Sequence, residues 1–201
     1  MGATGSVGAC LSRLLARRHR GRLTLVARQT GRLEALCQEL VAQGADAHAT
    51  TDMTAVREAD LVVLLTSATG AVLRSEHLKP GAVVLDDTQP RNTDPALLET
   101  RPDVTVLDGG LVSIPEMRLR GSIGLPRGLA YACLAETLLL GLSGRGGHFS
   151  IGASTVEQAE QMLELAGQFG HLGFRLAAPH SFGRPLAAPA AEAAAGPVAL
   201  A

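Results

Sequence analysis

Three glycines spaced three residues apart, in Gly2-Ala3-Thr4-Gly5-Ser6-Val7-Gly8, restrict what this chain can fold into more than any other stretch of it. In such a turn the first glycines let the backbone meet a pyrophosphate, and the last lets the following helix lie close on a sheet. The surroundings agree with that reading. Val7, Leu11, Leu14 and Leu15 recur at helical spacing, which predicts a helix from about Ser6 to Arg18 with that face on the sheet, and Leu23 to Ala27 reads as the next strand. Leu33, Leu36, Leu40 and Val41 mark a second helix, with Gly44 as its C-terminal glycine. The run from Leu61 to Thr66 has the length of a strand buried on both faces. Ala82 to Leu85 and Val104 to Leu107 follow as parallel strands that end in Asp86-Asp87 and Asp108-Gly109-Gly110. Helices are expected at about 128–142 and 155–169, the latter capped by Ser154.

Short apolar runs alternating with helices indicate βαβ units, hence a doubly wound, Rossmann-like α/β fold with a mostly parallel sheet and C-terminal helices. The sequence divides into that unit, residues 1–178, and an Ala/Pro-rich tail at 179–201 with almost no charge, read as disordered. Only Met1 precedes Gly2, whereas a fold of this kind runs a strand of roughly five residues into its first glycine. The expectation is a fragment or a misassigned start that lacks its first strand, is poorly soluble and binds cofactor weakly.

Composition narrows the function. Lys plus Arg number 18 against 19 Asp plus Glu, and aromatics make up 2% of the residues, so there is neither field nor stacking surface for nucleic acid. No apolar run reaches the ~18 residues of a membrane span, and no stable membrane insertion is expected. Three widely spaced cysteines, Cys10, Cys37 and Cys133, form neither a metal pattern nor a disulfide framework, so a reducing cytoplasm is the default and no metal is assigned.

Within the turn, Gly2, Thr4, Gly5, Ser6, Val7 and Gly8 are the candidate cofactor contacts. A 2'-hydroxyl would call for an acidic residue just past the next strand, but Ala27-Arg28-Gln29-Thr30 stands there. Arg28 can pair with a 2'-phosphate, which favours NADPH over NADH. Thr66 and Ser67, with Thr69, sit where they can reach a ribose or phosphate, or simply cap the strand end. Asp86 and Asp108 can orient a substrate or cap turns. The basic run Arg17-Arg18-His19-Arg20-Gly21-Arg22 is either a solvated helix end or a docking surface for an acidic partner, and His148 has no evident partner.

The glycine motif, Leu-Val-Ala-Arg at 25–28, Ala-Asp-Leu-Val-Val-Leu at 59–64, Val-Leu-Asp-Gly-Gly-Leu-Val at 106–112 and Ala-Cys-Leu-Ala-Glu at 132–136 occur in an order that resembles the long-chain acyl-[acyl-carrier-protein] reductases, aldehyde-forming enzymes known from cyanobacteria. The resemblance runs from Gly2 to about Arg175 and covers the C-terminal two-thirds of that family. It implies NADPH-dependent reduction of a fatty acyl thioester to an aldehyde. Cys133 would be the nucleophile, acyl-carrier protein or acyl-CoA the donor, and an aldehyde-consuming enzyme a partner. Without it, Cys133 reads as a small buried apolar group. Two alternatives stand beside it: another NAD(P)-dependent, shikimate-dehydrogenase-like enzyme on the same fold, or a non-catalytic dinucleotide-binding remnant.

Overall fold

The computed structural model describes residues 1–186. Helix α1 spans Ser6–Arg18, strand β1 Leu23–Val26, helix α2 Thr30–Ala42 and strand β2 Ala47–Thr50. Strands β3 (Leu61–Leu64), β4 (Val83–Asp86) and β5 (Thr105–Asp108) follow, with the short helix α3 (Leu97–Thr100) between the last two. All five strands run parallel, in two sheets, β1-β2 and β3-β4-β5, and Asp86 and Asp108 are register partners at the C-terminal edge of the second. This is the Rossmann-like α/β architecture expected.

Between the two sheets lies the start of the chain. The Met1 amino group donates to the Val63 carbonyl at 2.6 Å and Leu65 N–H to the Met1 carbonyl at 3.0 Å. Gly2 and Ala3 N–H both donate to the Val26 carbonyl, at 2.9 and 3.2 Å. Three residues thus hydrogen-bond to the strand ends on either side.

The buried face of α1 differs from the apolar spacing. Val7 is 57% exposed, and the residues turned inward are Gly8, Cys10 and Ser12. Small side chains win because this helix is pressed against the turn that starts it: a Cβ on Gly8 would collide with the Gly2 backbone. Ser12 satisfies its own hydroxyl by donating to the Gly8 carbonyl at 2.7 Å. The α2 pattern holds, with Leu33, Leu36 and Leu40 buried and Gly44 left-handed at φ 87°. Burial of each leucine contributes about 2 kcal/mol. Strand β3 is covered on one face more than the other, since Leu61 is 55% exposed while Val62 and Leu64 are buried.

A second layer was not legible in the sequence. Strands β6 (Leu111–Ser113), β7 (Leu129–Tyr131) and β8 (Arg175–Leu176) form an antiparallel sheet in the order β7-β6-β8. Residues 129–131, expected at the start of a helix, are therefore a strand, and helix α4 begins only at Ala132 and runs to Leu142. Helix α5 covers Val156–Gln168, and its cap is Thr155, not Ser154: Thr155 and Gln158 bond reciprocally as a capping box. These elements enclose a core of Ile114, Ala130, Ala135, Leu139 and Phe174.

The tail expected from 179 begins as structure. Strands β9 (His180–Ser181) and β10 (Arg184–Pro185) form a hairpin, and His180 and Ser181 are buried. Residues 187–201 of that reading lie outside the described residues.

Candidate functional site

The turn from Gly2 to Gly8 stands at the C-terminal edge of the parallel strands. Gly2 has φ 80°, and a Cβ there would lie 2.5 Å from the Leu65 carbonyl oxygen. No other residue type fits between that carbonyl and α1. Gly5 caps α1 without a side chain, and the first turn of the helix holds no acidic residue. Among the described residues, the N–H groups of Ser6, Val7 and Gly8 meet no acceptor. Three unsatisfied donors at the positive end of a 13-residue helix attract an anion. Val7 therefore belongs to the site through its backbone alone.

A recess of about 530 Å³ opens beside this turn, lined by Thr4, Gly5, Ser6, Arg32, Gly152 and Ala153 among others. Gly152–Ser154, in the glycine-rich connection from α4 to α5, closes onto it. The Ser6 hydroxyl donates to the Gly152 carbonyl at 3.2 Å and accepts from Ser154 N–H at 2.9 Å. Arg28 is exposed just past β1 and forms no ion pair among the described residues. Arg32, one turn into α2, holds only the Gln29 side chain at 3.1 Å. Arg32 escaped the sequence reading, although its spacing of four from Arg28, across the start of a helix, was a usable signal.

On the other side of the turn, Thr66 follows β3. Its hydroxyl donates to the Asn92 side-chain oxygen and accepts from Ala68 N–H at 3.1 Å, so it shapes its own loop. Ser67 is exposed beside it. Asp86 is 3% exposed and caps the 88–93 segment by accepting from Thr88, Asn92 and Thr93. Asp108 receives Arg91 through two hydrogen bonds of 3.0 Å and also the N–H groups of Phe182 and Gly183. Burial opposes ionisation of Asp108, but Arg91 and the two N–H groups prevail and hold its pKa below the ordinary value. Both aspartates are anchors of the edge.

Asp87 carries the freer carboxylate. Burial first, then the charges of Asp86 and Glu136, push its pKa up, and burial also raises that of Glu136 on α4. The Glu136 charge acts on Asp87 across the space between α4 and the end of β4. The Ala132 N–H bonds the Gly110 carbonyl at 2.7 Å, and Cys133, the next residue of the helix, is exposed. Arg17 and Arg18 of the basic run pair with Glu157 and Glu160 on α5, a tie between helices. Among the described residues no group of three or more His, Cys, Asp or Glu could hold a metal, and no helix is long and apolar enough to cross a membrane.

A glycine cradle, an open helix N-terminus and two arginines past the neighbouring strand are arranged as in the Rossmann-like, doubly wound folds that bind dinucleotides. The chain belongs to the shikimate / quinate 5-dehydrogenase family, whose profile matches residues 1–108. It is also similar to the aminotransferase PigE of Serratia sp. (strain ATCC 39006), at 32% identity over 121 residues, which are 58% of this chain and 14% of that protein's length.

These matches overturn the resemblance to acyl-[acyl-carrier-protein] reductases. The strand and glycine patterns behind it are common to doubly wound folds. Its one distinctive stretch, Ala-Cys-Leu-Ala-Glu at 132–136, lies beyond the family match and is only five residues long. The acyl-enzyme role of Cys133 and the acyl-carrier partner rested on that stretch and have no other support.

Proposed function

We propose that this chain forms the cofactor-binding part of an NADP(H)-dependent oxidoreductase, with NADPH held across the Gly2–Gly8 turn. When bound, the nicotinamide would supply or accept the hydride exchanged with a carbonyl or alcohol carbon. The observation that carries the reading is the family match over a turn whose three helix N–H groups have no acceptor among the described residues. The protein's own contributions follow from the site. Ser6, Val7 and Gly8 present backbone N–H donors to the phosphates and Thr4 its hydroxyl, Gly5 adds no side chain between them, and Gly2 and Gly8 keep Cβ atoms out of the way. Arg28, joined by Arg32, offers charge-assisted hydrogen bonds to a 2'-phosphate, where no carboxylate competes for a 2'-hydroxyl. Thr66 and Ser67 border the opposite end. Asp87, with its raised pKa, and Glu136 can hold or release a proton on the substrate side, where Cys133 is accessible.

The test compares NADPH and NADH binding by nucleotide fluorescence in the wild type and in Arg28→Ala. Loss of one charged hydrogen-bonding partner predicts an NADPH affinity about 10- to 100-fold weaker, with NADH within about threefold. A wild type that prefers NADH, or binds neither, would overturn the reading.

A further inference from the structure

The segment from Thr66 to Leu73 has no helix and no strand beyond one isolated bridge, from Leu73 to Thr93. What holds it is Asn92, which is 0% exposed and uses every polar group it has. Its side-chain NH₂ donates to the Ala68 carbonyl at 2.9 Å and the Gly70 carbonyl at 3.1 Å, with a longer contact to Pro90. Its side-chain oxygen accepts from the Thr66 hydroxyl. Its backbone carbonyl accepts from Val72 and Leu73 N–H at 2.8 and 3.1 Å. Its own N–H reaches the Asp86 carboxylate at 3.0 Å and the Thr88 hydroxyl at 2.9 Å. Asp86 in turn accepts from the hydroxyls of Thr88 and Thr93, both at 2.5 Å, and from Thr93 N–H at 2.8 Å.

We propose that Asn92, fixed by Asp86, is the positioning residue for the nicotinamide half of the cofactor site, acting through the Thr66–Gly70 loop. The proposal rests on the NADPH reading above. The turn lies between the ends of β1 and β3, so a dinucleotide whose 2'-phosphate meets Arg28 extends its other half toward Thr66. That loop has little to define it except one amide that bridges two of its carbonyls and one hydroxyl. A buried network of this kind is satisfied in a single arrangement, and changing one donor into an acceptor breaks it in a known place.

The variant Asn92→Asp keeps the shape and sets an oxygen against the Ala68 and Gly70 carbonyls. Binding of NADPH and of adenosine 2',5'-bisphosphate, which lacks the nicotinamide half, is measured by calorimetry on the full chain, with amide exchange of residues 66–73. The expected result is NADPH binding weakened about tenfold and faster exchange over 66–73, with the bisphosphate affinity unchanged within about twofold. Thr93→Val, which removes one of the Asp86 hydrogen bonds, should shift NADPH in the same direction by a few-fold and serves if Asn92→Asp does not fold. Equal losses for both ligands, or no loss for either, overturn the positioning role. A wild type that binds the bisphosphate but gains nothing from the nicotinamide half refutes this proposal alone. A wild type that binds neither removes the cofactor reading and this inference with it.

Discussion

Replacing Asp108 by Asn tests the anchor of the C-terminal hairpin most directly. The Asp108 side chain is 6% exposed and accepts four hydrogen bonds, two from Arg91 and one each from Phe182 and Gly183 N–H, at 3.0 and 2.6 Å. Those two N–H groups belong to a two-residue turn in which both central residues have positive φ, 49° at Phe182 and 78° at Gly183. Glycine takes that conformation freely, but phenylalanine gives up about 1 kcal/mol in it. The carboxylate offsets this by receiving both donors at once. Arg91 also lies 5.9 Å from the Phe182 ring. Asparagine keeps one acceptor and turns an NH₂ toward the remaining donors. Arg91 is 32% exposed and can turn to water, so the lost ion pair costs about 1 kcal/mol, and the turn's N–H groups add about 1 kcal/mol each. The expected loss is about 2–3 kcal/mol by urea denaturation, accompanied by faster chymotryptic cleavage after Phe182. The pH dependence supplies a sign. Because the folded pKa of Asp108 lies below its unfolded value of about 3.9, its contribution is complete above that pH and disappears as pH falls through the folded value. The gap between wild type and variant should therefore be constant above about pH 5 and close in stronger acid. A loss under about 0.5 kcal/mol with unchanged cleavage would refute the anchoring argument.

Gly8→Ala should cost about 1–3 kcal/mol and abolish NADPH binding, because the backbone of Gly2 and Ala3 that its Cβ meets cannot yield; Gly44→Ala, in open space at φ 87°, should cost about 1 kcal/mol and leave binding intact, as calorimetry and thermal melts would show. Iodoacetamide on the native protein should label the exposed Cys133 first and spare Cys10, which is 5% exposed with its thiol on the Thr155 carbonyl; equal rates by peptide mapping would contradict the packing of α1 against α5.

Local signals were legible and remote ones were not. The bounds of α1 and the cores of β1, β3, β4 and β5 follow from periodicity and flanking turns, which act over a few residues. The glycine turn and Arg28 could be placed for the same reason. Val7 was misassigned to the buried face because spacing alone ignores how closely Gly8 draws the helix inward. Residues 129–131 pair with β6, a partner that no local pattern announces. The hairpin at 180–185 has the composition of a disordered segment, and its order depends on a carboxylate 74 residues before Phe182. Asn92 gave no local signal, since its role exists only where the 66–73 segment meets the residues after β4. The Cys133 helix shows the opposite error, a short local match given more weight than five residues can bear.

The seam between the two parallel sheets has a mechanical consequence. Hydrogen-bonded ladders run within β1-β2 and within β3-β4-β5, while Met1–Ala3 hydrogen-bonds to both sheets across the seam. Arg28 is mounted on one plate and Thr66 on the other. A ligand long enough to grip both is a tie rod, and its binding free energy stiffens the assembly as much as it fills the site. A ligand that reaches only one plate adds no such tie.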